Sequence, residues 1–359
     1  MTASGPEQWV NPAVRALTAY HVADATGLVK LDAMENPYTW PAALTSTWLD
    51  RLRHAAINRY PDPEATRLKE RVREFLGIPD DAPLLLGNGS DELLQMIAIA
   101  LCGPGRTILA PEPTFAMYRI VAEVLNFRFA GVPLRGDDFG IDPATMVEAI
   151  ARHRPAIVFL ANPNNPTGNL FEPAAVEAVL AAAPGLVVVD EAYYPFAGKS
   201  WLPRIGAYPN LVVMQTLSKA GLAGLRVGML AGSGRWLDEI NKVRLPYNIN
   251  VLSQLSAGFI LEHADFLREQ ARQICLDRDR LAVELAAIEG VRVWPSHANF
   301  LLFRTPRDAG AVHGALRARG VLIKRLDGSH PLLAGCLRVT VGTAGDNGAF
   351  LDALRATLA

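Results

Sequence analysis

Along this chain, short runs of valine, leucine and isoleucine alternate with stretches whose apolar residues recur at helical spacing, and glycine, proline or asparagine stands at many junctions. A continuous β-branched run such as Leu186-Val187-Val188-Val189 fits a strand covered on both faces, as in a parallel sheet. Similar runs lie at 84–86, 107–110 and 156–160 and just before Ser218. Strands alternating with helices in this way predict an α/β sheet. Past Asn250 the order changes. A long helical stretch is predicted over 251–288, then strands at 291–294, 299–303, 321–324 and 337–341, with helices near 308–319 and 346–358. No internal repeat, low-complexity tract or proline- or serine-rich linker interrupts the chain. The pattern predicts a large domain over residues 34–250 and a smaller part from 251 onward.

With 359 residues and half hydrophobic composition, the chain is long enough for both. The net charge is −1 and no basic stripe is present, so there is no electrostatic case for binding nucleic acid. Cys102, Cys275 and Cys336 lie in apolar patterns and read as buried thiols of a reducing compartment. Residues 1–8 lack a basic start followed by an apolar core, and no apolar stretch reaches membrane-spanning length. A cytoplasmic location is expected. The scattered histidines lack metal-ligand spacing, so no metal site is expected. No Gly-x-Ser-x-Gly elbow points to a serine hydrolase.

Several strand ends carry residues that suit one chemistry. Lys219 follows Ser218, and Arg226 stands one loop further on. A lysine amine attacks an aldehyde only when neutral, so a Schiff-base lysine needs desolvation or a nearby cation to lower its pKa. A serine hydroxyl and a guanidinium fork beside it match a phosphate. Together they suit an aldehyde that carries a phosphate. A lone Ser-Lys is more often a surface lysine after a strand, and the company of Lys219 is what weakens that reading. Asp190 ends the 186–189 run, where open α/β sheets bind ligands, and there it would keep a pyridinium nitrogen protonated. Taken alone, it would cap the next helix as readily. Glu191 does not form an acid pair with it, because adjacent strand residues face opposite ways. Asn162-Pro163-Asn164-Asn165-Pro166-Thr167-Gly168 reads as a rigid loop, and Asn165 suits a ring phenolate oxygen. In Gly87-Asn88-Gly89-Ser90-Asp91-Glu92, Ser90 is expected to cap a helix whose free N–H groups and dipole form a phosphate site. Phe115 is able to stack on a flat ring, although a core phenylalanine is the commoner fate.

These pieces, in this order, resemble the fold type I pyridoxal-phosphate aminotransferases over nearly the whole chain, from Leu31 to Thr343. Within that superfamily the chain is most similar to the histidinol-phosphate aminotransferase (class II) subgroup. The details are Asn58-Arg59-Tyr60-Pro61-Asp62, the Gly87 to Glu92 and Pro163 to Gly168 motifs, and Gly335-Cys336-Leu337-Arg338-Val339-Thr340-Val341-Gly342-Thr343. The resemblance implies a large domain with a mostly parallel seven-stranded sheet sandwiched by helices. It also implies a smaller α+β domain combining residues 1–33 with 251–359. Pyridoxal 5'-phosphate is the implied cofactor. Lys219 would hold it, Asp190 would pair with its ring nitrogen, and Asn165 and Tyr193 with its 3'-oxygen. Ser90, Asp91, Ser218 and Arg226 would hold its phosphate, with Phe115 in the stacking position. Tyr60 is implied to reach the phosphate of the other subunit, making the site the product of a homodimer, and Tyr20 to touch the neighbour's substrate. Arg338 would clamp the carboxylate of glutamate and the phosphate of histidinol phosphate. The implied reaction is a ping-pong transamination between L-histidinol phosphate or imidazole-acetol phosphate and glutamate or 2-oxoglutarate, a step of histidine biosynthesis.

Three features depart from the pattern. Lys219 and Arg226 are one residue closer than in many relatives, which reads as a shortened turn. Phe115 stands where tyrosine is frequent. Lys324 and Arg325 replace a single basic residue, and alternation points only one inward, Lys324 being favoured. An aromatic amino-acid aminotransferase would use the same residues, including Arg338. A pyridoxal-phosphate decarboxylase or C–S lyase would keep Lys219 and Asp190. An effector-binding regulator of this fold would want a DNA-binding extension, and the roughly thirty residues before the shared region are too few for a winged helix.

Overall fold

The computed structural model describes residues 5–19 and 22–359. A short strand, Val29–Lys30 (β1), precedes the seven that build the main sheet. These are Leu84–Asn88 (β2), Thr107–Glu112 (β3), Arg128–Pro133 (β4), Ile157–Ala161 (β5), Leu186–Asp190 (β6), Leu211–Thr216 (β7) and Val227–Gly232 (β8). Their order across the sheet is β2-β8-β7-β6-β5-β3-β4. β8 runs antiparallel to both neighbours, and the other pairings are parallel.

The continuous apolar runs follow from two-sided cover. Val158, Leu160, Val187 and Val189 pack toward the helices Pro143–His153 and Pro173–Ala182. The alternate residues Ile157, Phe159, Leu186 and Val188 pack toward Ser90–Leu101 and Met117–Val124. Every residue of β5 to β8 is buried, so no position is left to alternate as polar. Phe159 is fully buried between these layers, and its truncation to alanine costs about 3–5 kcal/mol.

The rest of the chain builds two smaller assemblies. Arg292–Val293 (β9), Phe300–Arg304 (β10), Lys324–Arg325 (β12) and Cys336–Thr340 (β13) form an antiparallel sheet of order β12-β13-β10-β9. Val321–Leu322 (β11) pairs in parallel with β1, so a strand near the start of the chain lies against one near its end. No helix among the described residues is long and apolar enough to cross a membrane.

Some elements differ from the pattern. The stretch over 251–288 is two helices, Val251–Leu261 and Ala264–Ala286, parted at Glu262 and His263. Neither proline nor glycine marks the break, and the apolar spacing runs through it. The predicted strand at 321–324 is split at Ile323 between two sheets, β11 and β12. Ser90 does not cap its helix. Gly89 holds that position at φ 82°, a backbone that glycine adopts without steric cost, and Ser90 is the first helical residue. The expectation of buried thiols holds only for Cys336. Cys275 is half-buried, and Cys102 is exposed because it ends the helix Ser90–Leu101 where the chain leaves the core.

Candidate active site

The parallel strands end on one edge of the main sheet, and antiparallel β8 starts there. The segments leaving β2, β3, β5, β6 and β7 and entering β8 therefore meet at a single crevice. Ser90, Asp91, Phe115, Asn165, Asp190, Tyr193, Ser218, Lys219 and Arg226 all line it, brought together from more than 130 residues of sequence.

The chain leaves β7 through a tight turn, Ser218–Leu222, in which Gly221 takes φ 111°. A Cβ there would come within 2.9 Å of Asn36 Nδ2, so this position requires glycine on both counts. The turn aims Lys219 into the crevice, where Nζ donates to Ala33 O at 3.2 Å. Burial pushes its amine down to about 8, with the Arg338 charge acting in the same direction. The lysine is thus far easier to deprotonate than a solvated one.

Two turns later Arg226, at φ 53°, enters β8 and reaches back to the start of the helix Ser90–Leu101. Its Nη2 donates to Asp91 Oδ2 at 3.1 Å, an exposed pair worth little on its own. The short loop between Lys219 and Arg226 therefore still brings the guanidinium to the helix start. Gly228 makes the approach possible, since a Cβ there would lie 2.5 Å from Ser90 N. No side chain caps this helix, and Ser218 stands beside it, its hydroxyl bonded to Thr216 Oγ1 at 2.9 Å. Arg226, the Ser218 hydroxyl and a helix N-terminus make an anion cradle.

Asp190 is buried at the end of β6. Its Oδ1 accepts from Ala192 N at 3.1 Å and its Oδ2 from Tyr118 Oη at 2.7 Å. Burial raises its pKa to about 6 although both bonds favour the ionised form. Its partners are a backbone N–H and a phenol, neither of them cationic, so the carboxylate is suited to a protonated ring nitrogen. Asn165 Oδ1 accepts from Arg338 Nη1 at 2.5 Å. Tyr193 is buried, edge-on to Phe300 at 5.2 Å between centroids, and burial raises its pKa. Phe115 is half-buried and lies edge-on to Tyr118 at 5.6 Å. Glu191 faces away from this group. Its carboxylate is held by Ser200, Trp201 N and Gln215, and burial raises its pKa to about 7.

Arg338 comes from β13 and is buried, with Nη2 donating to Asp32 O at 3.0 Å. Lys324 stands opposite it in register and on the same face, whereas Arg325 pairs with Leu337 and turns out to an exposed salt bridge with Asp327 at 3.0 Å. Tyr60 does not line the crevice. It is 80% exposed and stacks on Tyr247 at 4.4 Å. Tyr20 lies outside the described residues.

Two residues at the site were not singled out by the sequence. Tyr118, fully buried and stacked on Phe159 at 4.5 Å, was hidden in a helix that reads as plain core. Its only signal is the three-residue spacing from Phe115, which puts both rings on one side of the chain. Met34 lines the crevice from the N-terminal side with φ 53°.

Fold and crevice define an α/β protein that sets a desolvated lysine beside an anion cradle at the carboxyl edge of its sheet. The model of the family aminotransferase class I and II matches residues 26–354, and the chain belongs to that family. It is 55% identical over 357 residues to the histidinol-phosphate aminotransferase 2 of Nitrosococcus oceani, covering 99% of each chain. Identity to the histidinol-phosphate aminotransferase 2 of Cupriavidus pinatubonensis is 52% over 357 residues, 98% of this chain and 97% of that one. Among solved structures, histidinol-phosphate aminotransferase from Sinorhizobium meliloti in complex with pyridoxal-5'-phosphate is similar, with a TM-score of 0.85 at 25% identity over 98% of this chain and 97% of that one.

Proposed function

We propose that this protein is a pyridoxal-phosphate aminotransferase that exchanges an amino group between L-histidinol phosphate and 2-oxoglutarate, the transamination of histidine biosynthesis. The observation that carries the reading is identity above half, along essentially whole chains, with relatives that bear that name.

The residues present fit the cofactor. The uncapped helix start with Arg226 and Ser218 suits its phosphate, the cation-free carboxylate of Asp190 suits its ring nitrogen, and the depressed Lys219 amine suits its aldehyde. When bound, pyridoxal phosphate supplies an electrophilic carbon and a protonated ring that takes up the electron pair left when the substrate Cα–H bond breaks.

The chain's own groups do the rest. Lys219 holds the cofactor between turnovers and, once displaced by substrate, carries the proton from Cα. Burial lowers its pKa to about 8, so its neutral, basic form is accessible at little cost. Asp190 keeps the ring nitrogen protonated, and Tyr118 keeps Asp190 ionised. Asn165 and Tyr193 address the 3'-oxygen, and Phe115 stacks on the ring. Ser90, Asp91 through its backbone N–H, Ser218 and Arg226 hold the phosphate. Arg338 binds the carboxylate of glutamate in one half-reaction and the phosphate of histidinol phosphate in the other, with Lys324 beside it and Arg325 outside. The bidentate guanidinium matches either anion.

Tyr60 and Tyr20 belong to the same reading. The exposed Tyr60–Tyr247 stack would be covered by a second copy of the chain, Tyr60 reaching its phosphate site and Tyr20 its substrate. The reading includes a homodimer in the cytoplasm, with residues 34–250 as the cofactor domain and 1–33 with 251–359 as the smaller one. Steady-state kinetics with L-histidinol phosphate and 2-oxoglutarate test it. Parallel double-reciprocal lines are expected, and no turnover of that pair at saturating cofactor overturns it.

A further inference from the structure

The backbone of Met34 is not what side-chain packing alone would select. At φ 53° it occupies a left-handed region that residues other than glycine, asparagine and aspartate seldom visit. Such a conformation persists when its surroundings over-determine it, and here they do. Leu31 N donates to Leu322 O, and Thr340 N donates to Leu31 O. Arg338 Nη2 donates to Asp32 O at 3.0 Å, and Lys219 Nζ to Ala33 O at 3.2 Å. Met34 N donates to Thr340 Oγ1 at 3.0 Å, and Asn299 Nδ2 to Met34 O at 3.0 Å.

The strap from Leu31 to Met34 is thus pinned at every residue, at Asp32 and Ala33 by Arg338 and Lys219, the groups proposed to bind substrate and cofactor. With its N–H and C=O both fixed, the direction of the Met34 Cα–Cβ bond is set as well. It lines the crevice while packing against the cluster that contains Tyr193 and Phe300. Glycine would hold this backbone without strain. A long side chain kept where glycine is easier to accommodate points to work done by the side chain itself.

We propose that Met34 is a specificity-determining residue whose thioether side chain forms the wall against which the flat ring of an amino-donor substrate packs. The chemistry suits the task, since methionine is unbranched, polarizable and makes favourable contacts with ring edges. Glutamate, which has no ring, gains nothing from that wall. The inference rests on the aminotransferase reading above and deepens it by assigning discrimination between the two donors to one side chain.

The test compares wild-type holoenzyme with Met34→Asn, Met34→Gly and Met34→Leu. Half-reaction saturation with L-histidinol phosphate and with L-glutamate is followed by absorbance, and melting temperature is measured alongside. Asparagine and glycine tolerate the left-handed backbone, so both variants should melt within about 2 °C of wild type. Their half-saturation for histidinol phosphate should rise about tenfold, the effect of losing one apolar wall, while that for glutamate moves less than about twofold. Met34→Leu keeps the bulk and should retain most of the preference. Equal weakening of both donors, or no change in either, overturns the proposal. A melting point lowered by more than about 5 °C together with equal losses would make Met34 a packing residue only. If wild type converts L-phenylalanine and not histidinol phosphate, the substrate reading fails, and the phenylalanine-to-glutamate ratio in the same variants then decides the role of Met34.

Discussion

Replacing Tyr118 with phenylalanine removes one oxygen atom and tests how the site keeps charged the Asp190 carboxylate proposed to bind the cofactor ring. The ring stack on Phe159, nearly parallel at 6° and 4.5 Å, survives the change, so the fold should as well. What is lost is the 2.7 Å bond from Tyr118 Oη to Asp190 Oδ2 in a site with no exposure at Tyr118. Hydrogen bonds to charged groups contribute about 1.5–3 kcal/mol, and 1.36 kcal/mol corresponds to one pH unit. Because this bond favours the ionised carboxylate, its loss raises the Asp190 pKa by about 1–2. Burial has already raised that pKa to about 6 in the protein without cofactor. A protonated Asp190 cannot hold a protonated ring nitrogen, so cofactor affinity falls as pH drops through this value. The fall should centre near pH 6 in wild type and about 1–2 higher in the variant, giving about a two- to tenfold weaker affinity at pH 7. Equilibrium titration of the cofactor-free protein between about pH 5.5 and 8.5 reads both midpoints. Coincident midpoints in the two proteins would refute the reasoning.

Two further outcomes follow from the geometry. The rate at which cofactor-free protein captures pyridoxal phosphate should rise with pH and level off above about 8, because the neutral fraction of Lys219 grows through its depressed pKa. Stopped-flow absorbance checks this, and a rate still climbing at pH 10 would contradict the assigned burial effect. Gly228→Ala should lower stability by about 1–3 kcal/mol and weaken cofactor retention, since its Cβ would press on Ser90 N from 2.5 Å. Thermal melting and dialysis measure both, and unchanged retention would detach the cradle from the phosphate.

The residues legible in the sequence share one property, a place at the end of a buried strand. Lys219, Asp190 and Asn165 follow runs whose composition alone marks them as sheet, and parallel strands carry their ends to one edge. The seven-stranded sheet followed from the same runs and the family resemblance. What stayed hidden depends on contacts across the chain. Tyr118 acquires its partner only when its helix packs under β5 and β6, seventy-two positions from Asp190. The left-handed Met34 is imposed by Thr340 and Asn299, more than 260 residues away, and nothing in its own neighbourhood announces it. The break at Glu262 and His263 has no proline or glycine to signal it. The choice between Lys324 and Arg325 needed the register, which sets Lys324 opposite Arg338.

The central claim is tested most directly by titrating the pure holoenzyme with L-histidinol phosphate and, separately, with L-phenylalanine, following loss of the lysine-bound cofactor absorbance as the amino form accumulates. Conversion at much lower histidinol phosphate is the predicted result. Equal or better conversion by phenylalanine would contradict it and make Arg338 a carboxylate clamp in an aromatic aminotransferase.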